Sequence, residues 1–292
     1  MLSPKVLNQI KQIQLKAGFL TTDSMVGEYS SAFKGLGQEF DKVREYFLGD
    51  DIRAIDWNVT ARMNEPFVKV YREEREMTLM LMVDVSPSQH FGTSGRFKQE
   101  IAAELTAMLA FLAIKNNDKV GLIVFSDHVE QFIPPMKGRA HVWRIIRSVL
   151  THQGKGQKTD LAGSLAYLLQ VWKKKSMCFL ISDFEAANYQ KNLKLVSRKH
   201  DLTCVLTRDQ REHSLPSCGI IEFQDAESGE IMAIDSSDPK VRELFAQNSK
   251  NEWQNLESFF KKNKIDHFIV DTDHSLVKPL VSYFRKREKR LG

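Results

Sequence analysis

The sequence predicts an α/β protein with a doubly wound, mostly parallel sheet and a small β-rich appendage. Short apolar runs at 79–83, 120–125 and 177–181 have the length and composition of strands that are buried on both faces. Segments with helical spacing of apolar residues lie between them, and this alternation is typical of parallel sheets covered by helices. A composition of 42% apolar and 27% charged residues over 292 positions indicates a globular chain with a sizeable core.

The segment before the first buried strand is predicted to be mixed in structure. Ser3-Pro4 indicates a helix start, with apolar residues on one face as far as Ala17. The Ser/Thr/Gly-rich stretch 21–37 predicts irregular structure. The stretch 40–76 combines charges of both signs with aromatic residues, which predicts a folded, ion-paired layer because disordered segments are poor in aromatics. Within it, residues 68–71 alternate like an edge strand that pairs with a later segment of the chain.

From residue 77 onward, helices and strands are predicted in alternation. The apolar spacing predicts helices at 97–115, 140–150, 161–172, 188–200, 239–261 and 274–287. Further strands are predicted at 129–133 (ended by Pro134-Pro135), 202–206 and 266–270, with a β-hairpin at 219–235. We therefore divide the chain into an N-terminal helix with a charged segment (1–76), the core (77–210), an inserted hairpin (211–240) and a C-terminal helix–strand–helix that completes the core (241–292).

Composition disfavours several functional classes. No stretch approaches 18 consecutive apolar residues, so no transmembrane segment is predicted, and the N-terminus lacks the apolar run of a secretory signal. Cys178, Cys204 and Cys218 have no CxxC spacing, which fits a reducing cytoplasm, and the first two lie in apolar runs. The net charge of +5 arises mostly in the tail 285–290, which indicates the solvated end of a helix; no nucleic-acid-binding signature accompanies it.

Oxygen-bearing side chains lie just after the ends of the predicted strands. The motif Asp84-x-Ser86-x-Ser88 comes directly after the first buried strand, Asp183 closes the third, and Thr159 precedes a helix. Open α/β sheets bind their ligands at the carboxyl ends of strands. Each residue alone is typical of a helix cap or a turn. Together they form an all-oxygen set that suits a hard divalent cation, Mg²⁺ in particular.

This set of residues resembles the metal-ion-dependent adhesion site of von Willebrand factor A domains. More narrowly, the chain from about residue 25 to its C-terminus resembles the bacterial family named domain of unknown function 58. The narrower resemblance rests on Arg44-Glu45-Tyr46-x-x-Gly49-Asp50-Asp51-x-Arg53-x-Ile55-Asp56-Trp57 with Ala61-Arg62, on Thr159-Asp160-Leu161 and Ser182-Asp183-Phe184, and on the hairpin Asp225-x-Glu227-x-Gly229-Glu230.

The resemblance implies a von Willebrand A-like domain that acts as a non-enzymatic adaptor or co-chaperone of a MoxR-type AAA+ ATPase. By position, Ser86 and Ser88 would bind Mg²⁺ (or Mn²⁺ or Ca²⁺) directly, Thr159 directly or through water, and Asp84 and Asp183 through coordinated waters. The open position would take an Asp or Glu carboxylate from a protein partner. Many family members carry N-terminal membrane spans; this chain shows none, so a cytoplasmic location is expected.

Two other functions stay open at this point. A Mg²⁺-dependent hydrolase would use Asp84 and Asp183 with a metal-activated water, and would need a general base. The candidate bases lie in predicted loops without a recognisable motif spacing: His90, His128 and His152. A structural scaffold with a vestigial metal site would bind its partners without a cation.

The loop 154–159 has the composition of a phosphate-binding loop but not its pattern. Gln157, where the pattern needs Gly, precedes Lys158, and the segment before the loop is predicted to be helical. The sequence therefore argues against an NTPase.

The charged stretch 44–57 has two interpretations. In the first, it is a folding element beneath Trp57, in which Asp50, Asp51 and Asp56 pair with Arg44, Arg53 and Arg62. In the second, it is a docking surface for the partner. Replacing Trp57 separates the two, because the first predicts unfolding and the second only weaker association.

Overall fold

The computed structural model describes residues 23–33, 38–73, 76–152, 154, 156–224 and 229–291. These residues divide into two compact units, a smaller one drawn from 33–77 and a larger one drawn from 23–32 and 78–291. The helix predicted from Ser3 to Ala17 lies outside the described residues. No helix in the described ranges combines the length and the apolar character that crossing a membrane requires.

The described elements have the following bounds. The strands are β1 (Gln38–Glu45), β2 (Phe67–Glu73), β3 (Thr78–Asp84), β4 (Lys119–Phe125), β5 (Val129–Met136), β6 (Met177–Ser182), β7 (Asp201–Arg208), β8 (Ile220–Gln224), β9 (Ile231–Asp235) and β10 (Asp266–Asp271). The α-helices are α1 (Asp23–Ala32), α2 (Trp57–Met63), α3 (Lys98–Lys115), α4 (Arg139–Thr151), α5 (Leu161–Val171), α6 (Gln190–Lys199), α7 (Pro239–Lys262) and α8 (Val277–Leu291).

A six-stranded sheet in the order β10-β7-β6-β3-β4-β5 forms the core of the larger unit. All neighbouring strands run parallel except β5, which pairs antiparallel with β4 at one edge. The central strands are apolar along their whole length because helices cover both faces, and Leu79–Val83 are fully buried. The predicted doubly wound, mostly parallel sheet is confirmed.

Alternate residues of the strands point to different helical layers. On one face, Met80, Met82 and Leu180 pack with residues of α5, α6 and α7 in one apolar cluster. On the other face, α8 packs over the sheet, where Tyr283 contacts Phe179 edge-to-face. Cys178 and Cys204, which belong to the first cluster, are buried as predicted, whereas Cys218 is exposed.

Three details of the prediction were wrong. Residues 23–32, expected to be irregular, form α1, because Met25, Tyr29 and Ala32 recur at helical spacing and are buried. Strand β5 does not end before Pro134-Pro135 but runs to Met136, since an edge strand tolerates prolines that lack an N–H donor. Strand β2 pairs antiparallel with the preceding β1 rather than with a later segment.

The basic tail is the exposed end of a helix, as the sequence predicts, except at Arg287. Helix α8 continues to Leu291, and Arg287 is only 7% exposed whereas the other residues of 285–290 are exposed. Its guanidinium donates to the carbonyl of Ala32 at 2.7 Å, to Asp266 at 2.8 Å and to Asp201. Internal carboxylates therefore neutralise the most buried charge of this tail.

The smaller unit contains the charged stretch 44–57. Arg44 makes a two-pronged ion pair with Asp50, at 2.6 and 2.7 Å, and these hydrogen bonds hold the pKa of Asp50 at about 2. Asp56 caps helix α2 by accepting from the backbone N–H groups of its first turn. Trp57, expected to cover an ion-paired layer, is 67% exposed. The first interpretation is therefore wrong about Trp57, which does not cover the paired carboxylates, although the predicted Arg44–Asp50 pair is present.

Two antiparallel strand pairs form the β-rich additions. The β1–β2 pair belongs to the smaller unit, and the β8–β9 hairpin, predicted at 219–235, belongs to the larger. They are separate two-stranded sheets.

Asp209, directly after β7, ties together three segments at the carboxyl edge of the sheet. Its carboxylate accepts from Thr93 Oγ1 at 2.6 Å, from Thr272 Oγ1 at 2.5 Å and from the backbone N–H of Arg211 at 2.9 Å. Burial opposes the charged form, but the hydrogen bonds from Thr272 and Thr93 outweigh it and hold the pKa of Asp209 at about 2.

We expect Asp209→Asn to lower the free energy of unfolding by about 2–4 kcal/mol, because an amide nitrogen would face donors that the carboxylate accepts. Since the folded pKa is depressed, this stabilisation is present above about pH 4 and is lost as the pH falls toward 2. Urea unfolding at neutral and acidic pH measures it, with the exposed Asp235→Asn as control. Equal losses in the two variants would contradict the prediction.

Candidate metal site

The crevice at the carboxyl edge of the sheet lies where the chain changes direction. From β3 the chain continues to β4 on one side, whereas β6 pairs with β3 on the other side. The two strands therefore deliver Asp84 and Asp183 to adjacent positions at this switch point, where open α/β sheets bind their ligands.

Asp84 is fully buried at the end of β3. Its carboxylate accepts hydrogen bonds from the backbone N–H of Ser86 at 2.9 Å and from Ser182 Oγ at 2.6 Å. Burial, and to a lesser extent repulsion from Asp183, raises the pKa of Asp84 to about 7 despite these bonds. A bound cation would favour the charged form of this carboxylate.

The serine loop presents two hydroxyls next to Asp84. Ser86 and Ser88 are buried, and their Oγ atoms lie 3.1 Å apart. Pro87 begins the short 3₁₀ helix Pro87–His90, which turns both side chains in the same direction. This spacing places two neutral oxygen donors together.

Thr159 reaches the same edge from the loop before α5. The N–H of Asp160, the next residue, donates to the carbonyl of Ser126 at 2.7 Å, which holds the loop at the end of β4. A Cβ on Gly154 would lie 2.4 Å from the carbonyl oxygen of Val85, so the loop can approach the serine loop only with glycine there. Thr159 Oγ1 is buried and, within the described part of the chain, makes no hydrogen bond.

Asp183 has a partner that the sequence did not suggest. Its Oδ2 accepts from Lys98 Nζ at 2.8 Å, and the same ammonium donates to Glu212 Oε1 at 2.5 Å. Burial disfavours the ammonium, but Asp183 and Glu212 outweigh this effect and raise the pKa of Lys98.

Phe184, directly after Asp183, adopts a left-handed backbone with φ of 61° and packs against Phe260.

The structure thus brings Asp84, Ser86, Ser88 and Asp183 to one edge, and the loop that carries Thr159 approaches this edge at Val85 and Ser126. Among the described residues, no group of three or more His, Cys, Asp or Glu side chains is arranged to hold a metal. A site at this edge would therefore rely on hydroxyl oxygens as well as carboxylates. The donor set and the unsatisfied Thr159 hydroxyl fit a hard cation such as Mg²⁺.

Two of the three histidines considered as general bases have carboxylate partners, and the third, His90, is exposed. His128 Nδ1 lies 2.5 Å from Asp127, and His152 Nε2 lies 2.7 Å from Glu130. The segment before the 154–159 loop is helix α4. This agrees with the helix predicted there, which was one of the two arguments against a phosphate-binding loop.

Sequence reasoning missed two further residues at the site, Ser182 and Lys98. Ser182 Oγ bonds to Asp84 and also accepts from the N–H of Phe184 at 3.0 Å. Its position directly before Asp183 at a strand end was an available signal. Lys98 gave none, because a lysine at the start of a helix is usually exposed.

The sheet order, the helical layers and this crevice define a von Willebrand factor A-like α/β domain. Among solved structures, the chain is similar to an aerotolerance-related membrane protein from Bacteroides fragilis, with 16% identity, a TM-score of 0.48 and coverage of 72% of this chain and 99% of that one. It is also similar to the SpRpn10 VWA domain, with 9% identity, a TM-score of 0.39 and coverage of 70% and 94%.

The chain belongs to the family described as "Protein of unknown function DUF58", whose model matches residues 42–255. A relative from Mycobacterium tuberculosis, the uncharacterized protein Rv1480, is 30% identical over 247 residues, which cover 84% of this chain and 78% of the relative. The family expected from the motifs is thereby confirmed.

Proposed function

We propose that this protein is a non-enzymatic, Mg²⁺-dependent protein–protein interaction module. The observation that carries the proposal is the buried hydroxyl of Thr159, which lacks a hydrogen-bond partner in the described part of the chain, on a loop whose Gly154 closely approaches the carbonyl of Val85. An unsatisfied buried hydroxyl costs about 1–3 kcal/mol, and a bound cation would satisfy it.

The residues at the edge divide into two roles. Ser86, Ser88 and Thr159 offer neutral oxygens, while Asp84 and Asp183 carry the negative charge. When bound, the cation would supply a positive centre that attracts a carboxylate from a partner. Because the hydroxyl donors of Ser86, Ser88 and Thr159 add no negative charge, an incoming Asp or Glu side chain is favoured.

The identity of the protein partner is proposed from the family resemblance. We infer that it is a MoxR-type AAA+ ATPase or a client of that ATPase, and that the complex forms in the cytoplasm. Mn²⁺ or Ca²⁺ would substitute for Mg²⁺ because both prefer oxygen ligands.

A calorimetric titration of Mg²⁺, and then of Mn²⁺, into metal-free protein tests the metal site directly. Saturable binding supports the site. The partner is tested by co-elution of the purified protein with a purified MoxR-type ATPase in the presence of Mg²⁺. A complex that the Ser86→Ala variant forms as well as the wild type would contradict the role of the cation.

A structural scaffold is the second candidate, and the Lys98–Asp183 salt bridge at 2.8 Å favours it. A carboxylate that already has a cationic partner has less need of a metal. This alternative predicts that Ser86→Ala and Asp183→Ala leave partner binding intact.

The smaller unit carries an exposed apolar surface suited to docking. Its members are each more than 60% exposed: Phe47, Leu48, Ile52, Trp57 and Met63. Protein interfaces favour aromatic anchors such as Trp57, so we assign partner docking to this surface.

Trp57→Ala is expected to weaken association with the ATPase at least tenfold, since truncating a buried aromatic anchor costs about 2 kcal/mol or more. Because Trp57 is exposed, the free energy of unfolding should change by about 0.5 kcal/mol or less. Binding measured by calorimetry and urea unfolding give the two numbers. The control is Leu244→Ala, an exposed apolar residue of α7; a loss of stability confined to Trp57→Ala would instead restore the folding interpretation.

A further inference from the structure

Lys98 is a fully buried cation at the edge of the candidate metal site. It is the first residue of α3, and its side chain has no exposed surface. The ammonium lies between two carboxylates, 2.8 Å from Asp183 and 2.5 Å from Glu212. Lysine is rarely buried unless paired, so this arrangement needs a reason beyond packing.

The position of Glu212 is itself fixed by the backbone. Glu212 Oε2 accepts from the N–H of Asp209 at 2.9 Å, while its Oε1 accepts from Lys98. The short helix Gln210–Glu212 is capped by Asp209, which is held by Thr93 and Thr272. These hydrogen bonds therefore hold the Glu212 carboxylate in place where it shares the Lys98 ammonium with Asp183.

The charges at this edge include a cation as well as carboxylates. Asp84, Asp183 and Glu212 supply the carboxylates, and the Lys98 ammonium lies at contact distance from Asp183 and Glu212. A divalent cation that binds near Asp183 is repelled by the ammonium in surroundings where water screens charge poorly. Glu212 reduces this repulsion because it draws the same ammonium toward itself.

We propose that Lys98 is a built-in counter-cation that weakens the affinity of the site for Mg²⁺, and that Glu212 sets the strength of this effect. The inference rests on the proposed metal site and adds its regulation. A weak site is filled only when a partner carboxylate adds its own negative charge, so Lys98 makes cation binding and partner binding depend on each other.

The two residues are predicted to act in opposite directions. Lys98→Met removes the repelling charge and is expected to lower the Kd for Mg²⁺ about tenfold. Glu212→Gln leaves the ammonium to Asp183 alone and is expected to raise the Kd about threefold. A purely structural role would give no such opposition, since both substitutions break the same salt bridge.

The experiment is a calorimetric Mg²⁺ titration of the wild type and both variants at constant ionic strength. The control is Lys199→Met, which removes one positive charge at the end of α6, where the chain enters the amino end of β7, away from the site. It is expected to keep the wild-type Kd. If Lys98→Met does not fold because Asp183 and Glu212 then face each other, the double variant with Glu212→Gln replaces it and is expected to bind more tightly than Glu212→Gln alone.

The outcomes distinguish the inference from the proposed function. If the wild type binds Mg²⁺ and both variants bind it with the wild-type Kd, the inference is overturned and the proposed metal site stands. Binding by Lys98→Met alone supports the inference and shows that the lysine closes the site in the absence of a partner. Absence of binding in every variant overturns the metal site and the inference with it.

Discussion

Asp84→Asn is expected to abolish measurable Mg²⁺ binding, a loss of about 100-fold or more in affinity, while the metal-free protein stays folded. The substitution removes the carboxylate that a bound cation would hold in its charged form, and it keeps the shape of the side chain. Because burial raises the pKa of Asp84 to about 7, the metal-free site already holds this carboxyl partly in its neutral form, which the amide resembles. The Ser182 hydroxyl, which donates to the carboxylate at 2.6 Å, can accept from the new amide.

Calorimetric titration measures the affinity, and urea unfolding without Mg²⁺ checks the fold. Asp235→Asn is the control, because it removes the charge of an exposed carboxylate on β9 that bonds only locally, to the N–H of Ser237. It should keep both the wild-type stability and the wild-type Kd. Undiminished Mg²⁺ binding by Asp84→Asn would show that the cation, if it binds, binds elsewhere.

Arg287→Met is expected to lower the free energy of unfolding by about 3–5 kcal/mol. The methionine would fill part of the volume but leave the carboxylates of Asp201 and Asp266 without their shared guanidinium. It would also leave the carbonyl of Ala32 without the donor that now lies at 2.7 Å. Buried charges that lose a close partner are among the costliest defects a single substitution can make.

A neighbouring arginine on the same helix provides the comparison. The Arg285 side chain is 64% exposed and pairs with Glu28 at 2.9 Å, so Arg285→Met should cost less than about 1 kcal/mol. Chemical denaturation of both variants at neutral pH measures the difference. Similar small losses in the two would mean that the Arg287 network is replaced by water when the side chain is removed.

Much of the fold could be predicted because the central strands have an unambiguous pattern. Leu79–Val83 can be apolar throughout only if both faces are covered, and this one fact implies helices on each side. Helix α1 was missed although Met25, Tyr29 and Ala32 have helical spacing, because part of the surface that buries them comes from the distant α8, where Phe284 meets Tyr29 edge-to-face. The exposure of Trp57 was missed for a related reason, because a bulky aromatic predicts burial on average.

The candidate site was predictable to the extent that it sits at strand ends. Asp84 and Asp183 each end a recognisable strand, and topology then brings them together. Lys98 and Glu212 belong to a helix and a short turn that carry no such mark, and their pairing depends on how α3 packs over the sheet. The sequence therefore indicated the possible ligands but not the charge that opposes a cation.

The contact between Arg287 and the carbonyl of Ala32 has a consequence for synthesis of the chain on the ribosome. The two residues are 255 positions apart, so α1 cannot contact α8 until α8 has left the ribosome. Until then Met25 and Tyr29 lack the part of their surroundings that α8 supplies, and the edge strand β10 is also missing from the sheet. The nascent larger unit therefore exposes apolar surface through most of its translation, a state in which binding by a chaperone has the greatest effect.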